Sequence, residues 1–199
     1  MKLPQNYYLN PDVVALAKDL IGKILYANIN GEISAGIITE TEAYEGITDK
    51  ASHAYNNKRT PRTETMYCKG GVSYVYLIYG MYHLFNVVTN QKDVPHAVLI
   101  RAIYPYKNLP LILKRRQAKK WHKNLLNGPG KLTIGLGINQ QHNGLNLTQN
   151  KIWIEDKNIK IPQSKIKTTP RIGIDYAEED ALLPYRFVVE DYHINKITK

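Results

Sequence analysis

The sequence predicts an α+β fold: a single domain with a curved, mostly antiparallel, barrel-like β-sheet surrounded by helices, with one protruding β-hairpin. Three observations predict it. Short stretches rich in Ile, Val and Tyr recur along the first half of the chain, the composition that suits a pleated, half-buried surface. Helix-start and helix-stop residues appear before, between and after them. The 199 residues contain no internal repeat, low-complexity tract or Gly/Ser linker, so residues 1–199 form one domain with a core large enough to stand without disulfides.

A first helix is signalled by Asn10 as N-cap, Pro11 in the first turn, apolar positions at Val13, Val14, Leu16, Leu20 and Ile21, and Gly22 as terminator. Strands are expected at 24–29, 34–44, 72–79, 82–88 and 96–104. A basic helix follows at about 111–123, then a second beginning near Gly128, Pro129 and Gly130, a turn that could also meet a phosphate. Strands at 151–154 and 185–189 complete the pattern.

Charge and composition narrow the function. Lys and Arg outnumber acids 27 to 17, a net charge of +10 that suits a polyanion such as nucleic acid or an anionic membrane surface. No acid occurs between Asp93 and Glu155, an interval holding Arg101, Lys107, Lys114, Arg115, Arg116, Lys119, Lys120, Lys123, Lys131 and Lys151. That interval is a candidate phosphate-facing surface, and a solvated helix face is the plainer account of any one lysine. No signal-like or membrane-spanning run is present, so a soluble, cytoplasmic protein (nucleoid-associated if bacterial), without membrane attachment, is expected. Cys68 is the lone cysteine, and the six histidines (His53, His83, His96, His122, His142, His193) lack metal-binding spacing; no metal and no cofactor are expected. Tyrosine is used 15 times against two Phe and two Trp. Rings with a polar tip suit base stacking, although on composition alone tyrosine replacing phenylalanine in the core is preferred.

Three segments carry chemistry. In 38–44 the strand period puts Ile38, Glu40, Glu42 and Tyr44 on one face, so two carboxylates share apolar company. A partly buried carboxylate can be tuned as a general base, whereas an exposed edge strand would make both harmless. In 96–103 a single arginine, Arg101, interrupts an interior strand. A buried guanidinium needs a carboxylate, either Glu40 or Glu42, as a structural pair or as a holder of water. In 74–86 two strands meet at a turn read as Gly80-Met81 with Gly first, a type II′ hairpin, flanked by Tyr79 and Tyr82. An apolar tip on a basic protein suggests a wedge pushed between bases; packing on its own core or on a second subunit would also account for it.

Taken in order, Glu40-Thr41-Glu42-Ala43-Tyr44, Ala51-Ser52-His53, Arg59-Thr60-Pro61-Arg62, the segment 74–82 and Leu99-Ile100-Arg101-Ala102 resemble the alkyladenine (3-methyladenine) DNA glycosylase family. The likeness continues through 127–132, 170–174 and 184–187. The resemblance implies a monofunctional hydrolase of base excision repair, acting as a monomer on double-stranded DNA that contains damaged purines. It implies Glu42 as general base, Arg101 as positioner of the water, and a base pocket of Tyr44, His53 and Tyr76. It further implies Tyr79 as the residue filling the vacated stack, Met81 and Tyr82 beside it in the minor groove, and Asn86 as the residue crowding the 2-amino group of guanine. No lysine is expected beside the catalytic residues of these motifs, which argues against a Schiff-base lyase. The chain departs from the family's Arg-Ala-Leu-Glu-Pro, having Tyr104 where the glutamate stands, which puts contacts around Arg101 in question. A noncatalytic nucleic-acid-binding module on the same fold, or an RNA-binding protein, would share the tyrosines and the charge.

Overall fold

Every strand pairing among the described residues is antiparallel, and β2 (Glu32–Tyr44) is the strand around which the others are arranged. The computed structural model describes residues 1–189; His193 therefore lies outside the described residues. β1 (Ile24–Ile29) folds back on β2 as a hairpin, and β5 (His96–Lys107) runs along the other edge of β2. β3 (Val72–Ile78) and β4 (Tyr82–Thr89) form the protruding hairpin, joined to the sheet through β4 and β5. β6 (Ile152–Glu155) pairs with β1 on the far side, while β8 (Arg186–Val188) pairs with the C-terminal half of β2 and β7 (Lys167–Thr169) pairs with β8.

The sheet does not close into a barrel; its path runs β3-β4-β5-β2-β1-β6 with two free ends. Each end is covered by chain instead, which removes the open edges that closure would have removed. On β3, Ser73 N–H donates to the Leu145 carbonyl at 2.9 Å and Val75 N–H to Asn143 Oδ1 at 2.9 Å. On β6, Leu3 N–H donates to the Ile154 carbonyl at 2.9 Å.

α1 (Val13–Asp19) packs on β2. Its cap is Asp12, whose carboxylate accepts from Ala15 N–H at 2.8 Å, and not Asn10. Asn10 instead accepts from Asp12 N–H at 2.9 Å, closing the turn that leads into the helix. The basic helix is shorter than its charge pattern suggests. α2 (Leu109–Arg115) is followed by Gln117 at φ 52°, a left-handed residue that ends the helix before the lysine-rich residues. α3 (Pro129–Leu136) starts where the Gly128-Pro129 signal places it. β7 was not anticipated, because three polar-to-mixed residues carry no strand period.

Leu16 of α1, Ile24 of β1, Ile37 of β2, Ile100 of β5, Ile112 of α2 and Leu132 of α3 meet in one core, each nearly or fully shielded from solvent. Each such side chain contributes about 1.5–3 kcal/mol by leaving water. β2 is buried on both faces from Ser34 to Ala43, so its polar residues must find partners within the protein. Among the described residues no helix is long and apolar enough to cross a membrane.

Candidate active site

Strand alternation turns Glu40 and Glu42 to one face of β2, and a bulge in β5 brings Arg101 to them. The register steps from Glu40–Ala102 to Thr41–Ile100, which leaves Arg101 as the extra residue with no partner across the ladder. A bulge re-aims a side chain. Arg101 Nε donates to Glu40 Oε1 at 2.9 Å and Nη1 donates to Glu42 Oε2 at 3.3 Å. Both glutamates, not one, hold this arginine. Arg186 of β8 adds a further bond, Nε to the same Glu40 oxygen at 2.6 Å. Tyr104 packs its ring on Trp121, with centroids 5.7 Å apart, while the carboxylate partners of Arg101 come from β2.

Glu42 is 0% exposed and carries three donors. Besides Arg101, the Tyr44 hydroxyl donates to Oε2 at 2.8 Å and the Ile172 N–H donates to Oε1 at 2.9 Å. Burial pushes the carboxyl pKa above its ordinary value; Arg101, the Ile172 amide and the Tyr44 hydroxyl pull it back down, and Glu40 adds a small push upward. For Arg101 burial works against the charge, yet Glu42 and Glu40 outweigh it and the pKa ends raised.

Arg101, Tyr44 and Ile172, the three groups that hold Glu42, all line a cavity of about 630 Å³. Glu42 lies beneath them. His53, Tyr76 and Asn86 line the same cavity, as do Tyr79 and Tyr82 at the hairpin. The edge-on rings of His53 and Tyr76 are 4.7 Å apart, and Tyr74, 5.2 Å from Tyr76, shares its hydroxyl with His53 Nδ1 at 2.9 Å. Burial, with Arg62 and Lys58 nearby, lowers the His53 pKa to about 4, so this ring is neutral at physiological pH. Asn86 donates its amide to the Tyr74 carbonyl at 3.1 Å.

The hairpin tip stands in solvent, with Tyr79 84% and Met81 64% exposed. Its turn differs from the Gly80-Met81 expectation. Ile78 pairs with Tyr82, Met81 N–H donates to the Ile78 carbonyl at 3.2 Å, and the central pair is Tyr79 (φ 52°) and Gly80 (φ 70°). Two positive φ values in the centre mark a type I′ turn rather than type II′. A non-glycine residue in that region stores strain, and here it projects Tyr79. At the hairpin base, Tyr82 lies on Gly130 so closely that an added Cβ would meet the Tyr82 ring at 2.8 Å.

Sequence reasoning missed several members of the site. Ile172 lies 130 residues from Glu42, with no local signal to link them. Arg171 is buried, bonded twice to Asp49 and once to the Ala43 carbonyl (2.9 Å), and its guanidinium sits 4.8 Å from the centre of the Tyr44 ring. Lys131 of α3, within the segment 127–132, lines the cavity, so the expectation that no lysine sits beside the motifs does not hold. Tyr74 was visible, since it is the other tyrosine of a Tyr-x-Tyr strand pattern.

The profile of the family described as Methylpurine-DNA glycosylase (MPG) matches residues 7–193. The chain belongs to this family. It is therefore a DNA glycosylase of DNA repair, a hydrolase whose partner is DNA. A curated Chlamydia felis protein named "Putative 3-methyladenine DNA glycosylase" is 49% identical over 196 residues, which span 98% of this chain and 100% of that protein. One of the same name from Clostridium perfringens (strain 13 / Type A) is 46% identical over 199 residues, covering 96% of this chain and 97% of its own. In this glycosylase the Glu42–Arg101 pair and the cavity above it fall within the matched residues.

Proposed function

We propose that the protein, acting as a monomer, flips alkylated or deaminated purines such as 3-methyladenine out of duplex DNA and hydrolyses the N-glycosidic bond, leaving an abasic site. The observation that carries this reading is a fully buried carboxylate, Glu42, fixed by three donors under an aromatic cavity. A carboxylate oxygen accepts two hydrogen bonds. Glu42 Oε1 receives one, from Ile172, and retains a lone pair for a water admitted beside Arg101. Glu42 then accepts the proton of that water and its charge favours the oxocarbenium-like sugar. An alkylated purine is already a good leaving group, so one carboxylate suffices. Tyr44, His53 and Tyr76 hold the base, Asn86 selects at its edge, and Tyr79, flanked by Met81 and Tyr82, occupies the gap in the stack.

Catalysis by water predicts no associated strand cleavage. Lys131 is the lysine on the cavity wall that could form a Schiff base, and it decides between the two chemistries. The test is chromatography of bases released from duplexes carrying 3-methyladenine, 7-methylguanine, hypoxanthine or ethenoadenine, with the strands then run on a denaturing gel. Free base with intact abasic strands is expected. Binding without release would make the protein a noncatalytic module, and strand nicking lost in Lys131→Ala would make it a lyase.

A further inference from the structure

The motif Arg59-Thr60-Pro61-Arg62 is divided in the structure between two jobs, and only one of them is structural. Arg59 is consumed by ion pairs to Glu64 at 2.6 Å and Asp93 at 2.9 Å. Arg62 pairs with no carboxylate among the described residues. Its guanidinium carbon lies 5.0 Å from the centre of the Tyr76 ring, and Nη2 is 3.5 Å from His53 Nε2. Arg62 lines a second hollow of about 570 Å³, which shares His53 and Tyr176 with the main cavity, and it does not line the main cavity itself. It therefore covers the side of Tyr76 and His53 turned away from the space where a base would stack.

We propose that Arg62 is a specificity-determining positioning residue that acts through Tyr76 and His53 to reduce the site's preference for cationic over neutral purines. The inference rests on the reading that a purine occupies the main cavity. A ring attracts a cation through its electron-rich face. Tyr76 already has one cation on its outer face, and a purine stacked on the inner face would lie roughly 8–9 Å from that charge, given ring contact near 3.5 Å. Arg62 thus opposes a methylated, positively charged base and leaves hypoxanthine or ethenoadenine unaffected. The other ring of the slot, Tyr44, is backed in the same way by Arg171, but Asp49 neutralises that guanidinium at hydrogen-bond distance. Arg62 is the uncompensated charge. It also faces the one histidine of the slot, with Nη2 directed at Nε2, which keeps that nitrogen an acceptor and the proton on Nδ1 toward Tyr74.

The test compares single-turnover base release from duplexes carrying 7-methylguanine, a cationic base, with release from duplexes carrying hypoxanthine, a neutral one. Both are measured at slightly acidic pH, where 7-methylguanine keeps its N1 proton and its net positive charge, for the wild type, Arg62→Gln and Arg62→Lys. Arg62 is exposed, and thermal unfolding of each variant confirms an intact fold. The expected result is a cationic-to-neutral rate ratio raised about three- to tenfold in Arg62→Gln, as Coulomb repulsion between like charges at that distance and partial screening dictate, and restored in Arg62→Lys. A ratio unchanged in Arg62→Gln, or changed equally by Gln and Lys, overturns the proposal, since a packing role does not follow charge. Failure of the wild type to release either base would instead overturn the proposed function.

Discussion

Burial raises the pKa of the Glu42 carboxyl and the donors around it pull the other way, and each donor can be removed separately. The Tyr44 hydroxyl lowers the Glu42 pKa, so Tyr44→Phe raises it further. A general base must be unprotonated, and the acid limb of kcat/KM in the wild type should accordingly lie above the ordinary glutamate value of about 4.3 and shift to still higher pH in Tyr44→Phe. A pH–rate series on both proteins measures this, and an unmoved limb would show that another group titrates. Arg101→Ala leaves Glu40 and Glu42 with fewer partners in a dry setting, and urea unfolding should show a loss of about 3–5 kcal/mol. The pairing of Arg101 with the glutamates was legible in the sequence because a lone charge in an apolar strand needs an opposite charge. The part played by Ile172 was not, since a backbone amide 130 residues away has no side-chain signature.

At the scale of elements, the hairpin and α3 act together. Tyr79 contributes little to the core, being 84% exposed, so Tyr79→Ala should change stability by no more than about 0.5 kcal/mol and weaken duplex binding by about 1–3 kcal/mol, the value of one stacked ring. Chemical denaturation and a binding titration on the same variant separate the two effects. Gly130 gives Tyr82 its seat, and Gly130→Val should displace that ring and weaken binding although residue 130 lies in a helix. Strand composition announced the hairpin, but the turn type depended on which residue takes the second positive φ. Sequence preference named Gly80 alone; the register with Ile78 opposite Tyr82 selected Tyr79 as its companion. Backbone conformation also shortened α2: its lysines match a helix in charge, but the positive φ of Gln117 turns the chain out of the helix just after Arg115.

For the whole molecule, a net charge of +10 makes DNA association an exchange with counterions. Duplex affinity should fall on the order of a hundredfold or more between about 50 and about 200 mM salt, read by fluorescence anisotropy. The sheet's antiparallel pairing was legible from strand after strand of Ile, Val and Tyr. That it stays open was not, because the segments covering β3 and β6 are loops whose backbone groups leave no pattern in composition. All of these parts converge on one function for Glu42, and the most direct measurement is single-turnover base release by Glu42→Gln alongside its affinity for the same lesion duplex. Release should drop by about 10²–10⁴-fold with binding nearly unchanged. A Glu42→Gln enzyme that frees the base at the wild-type rate would contradict the assignment.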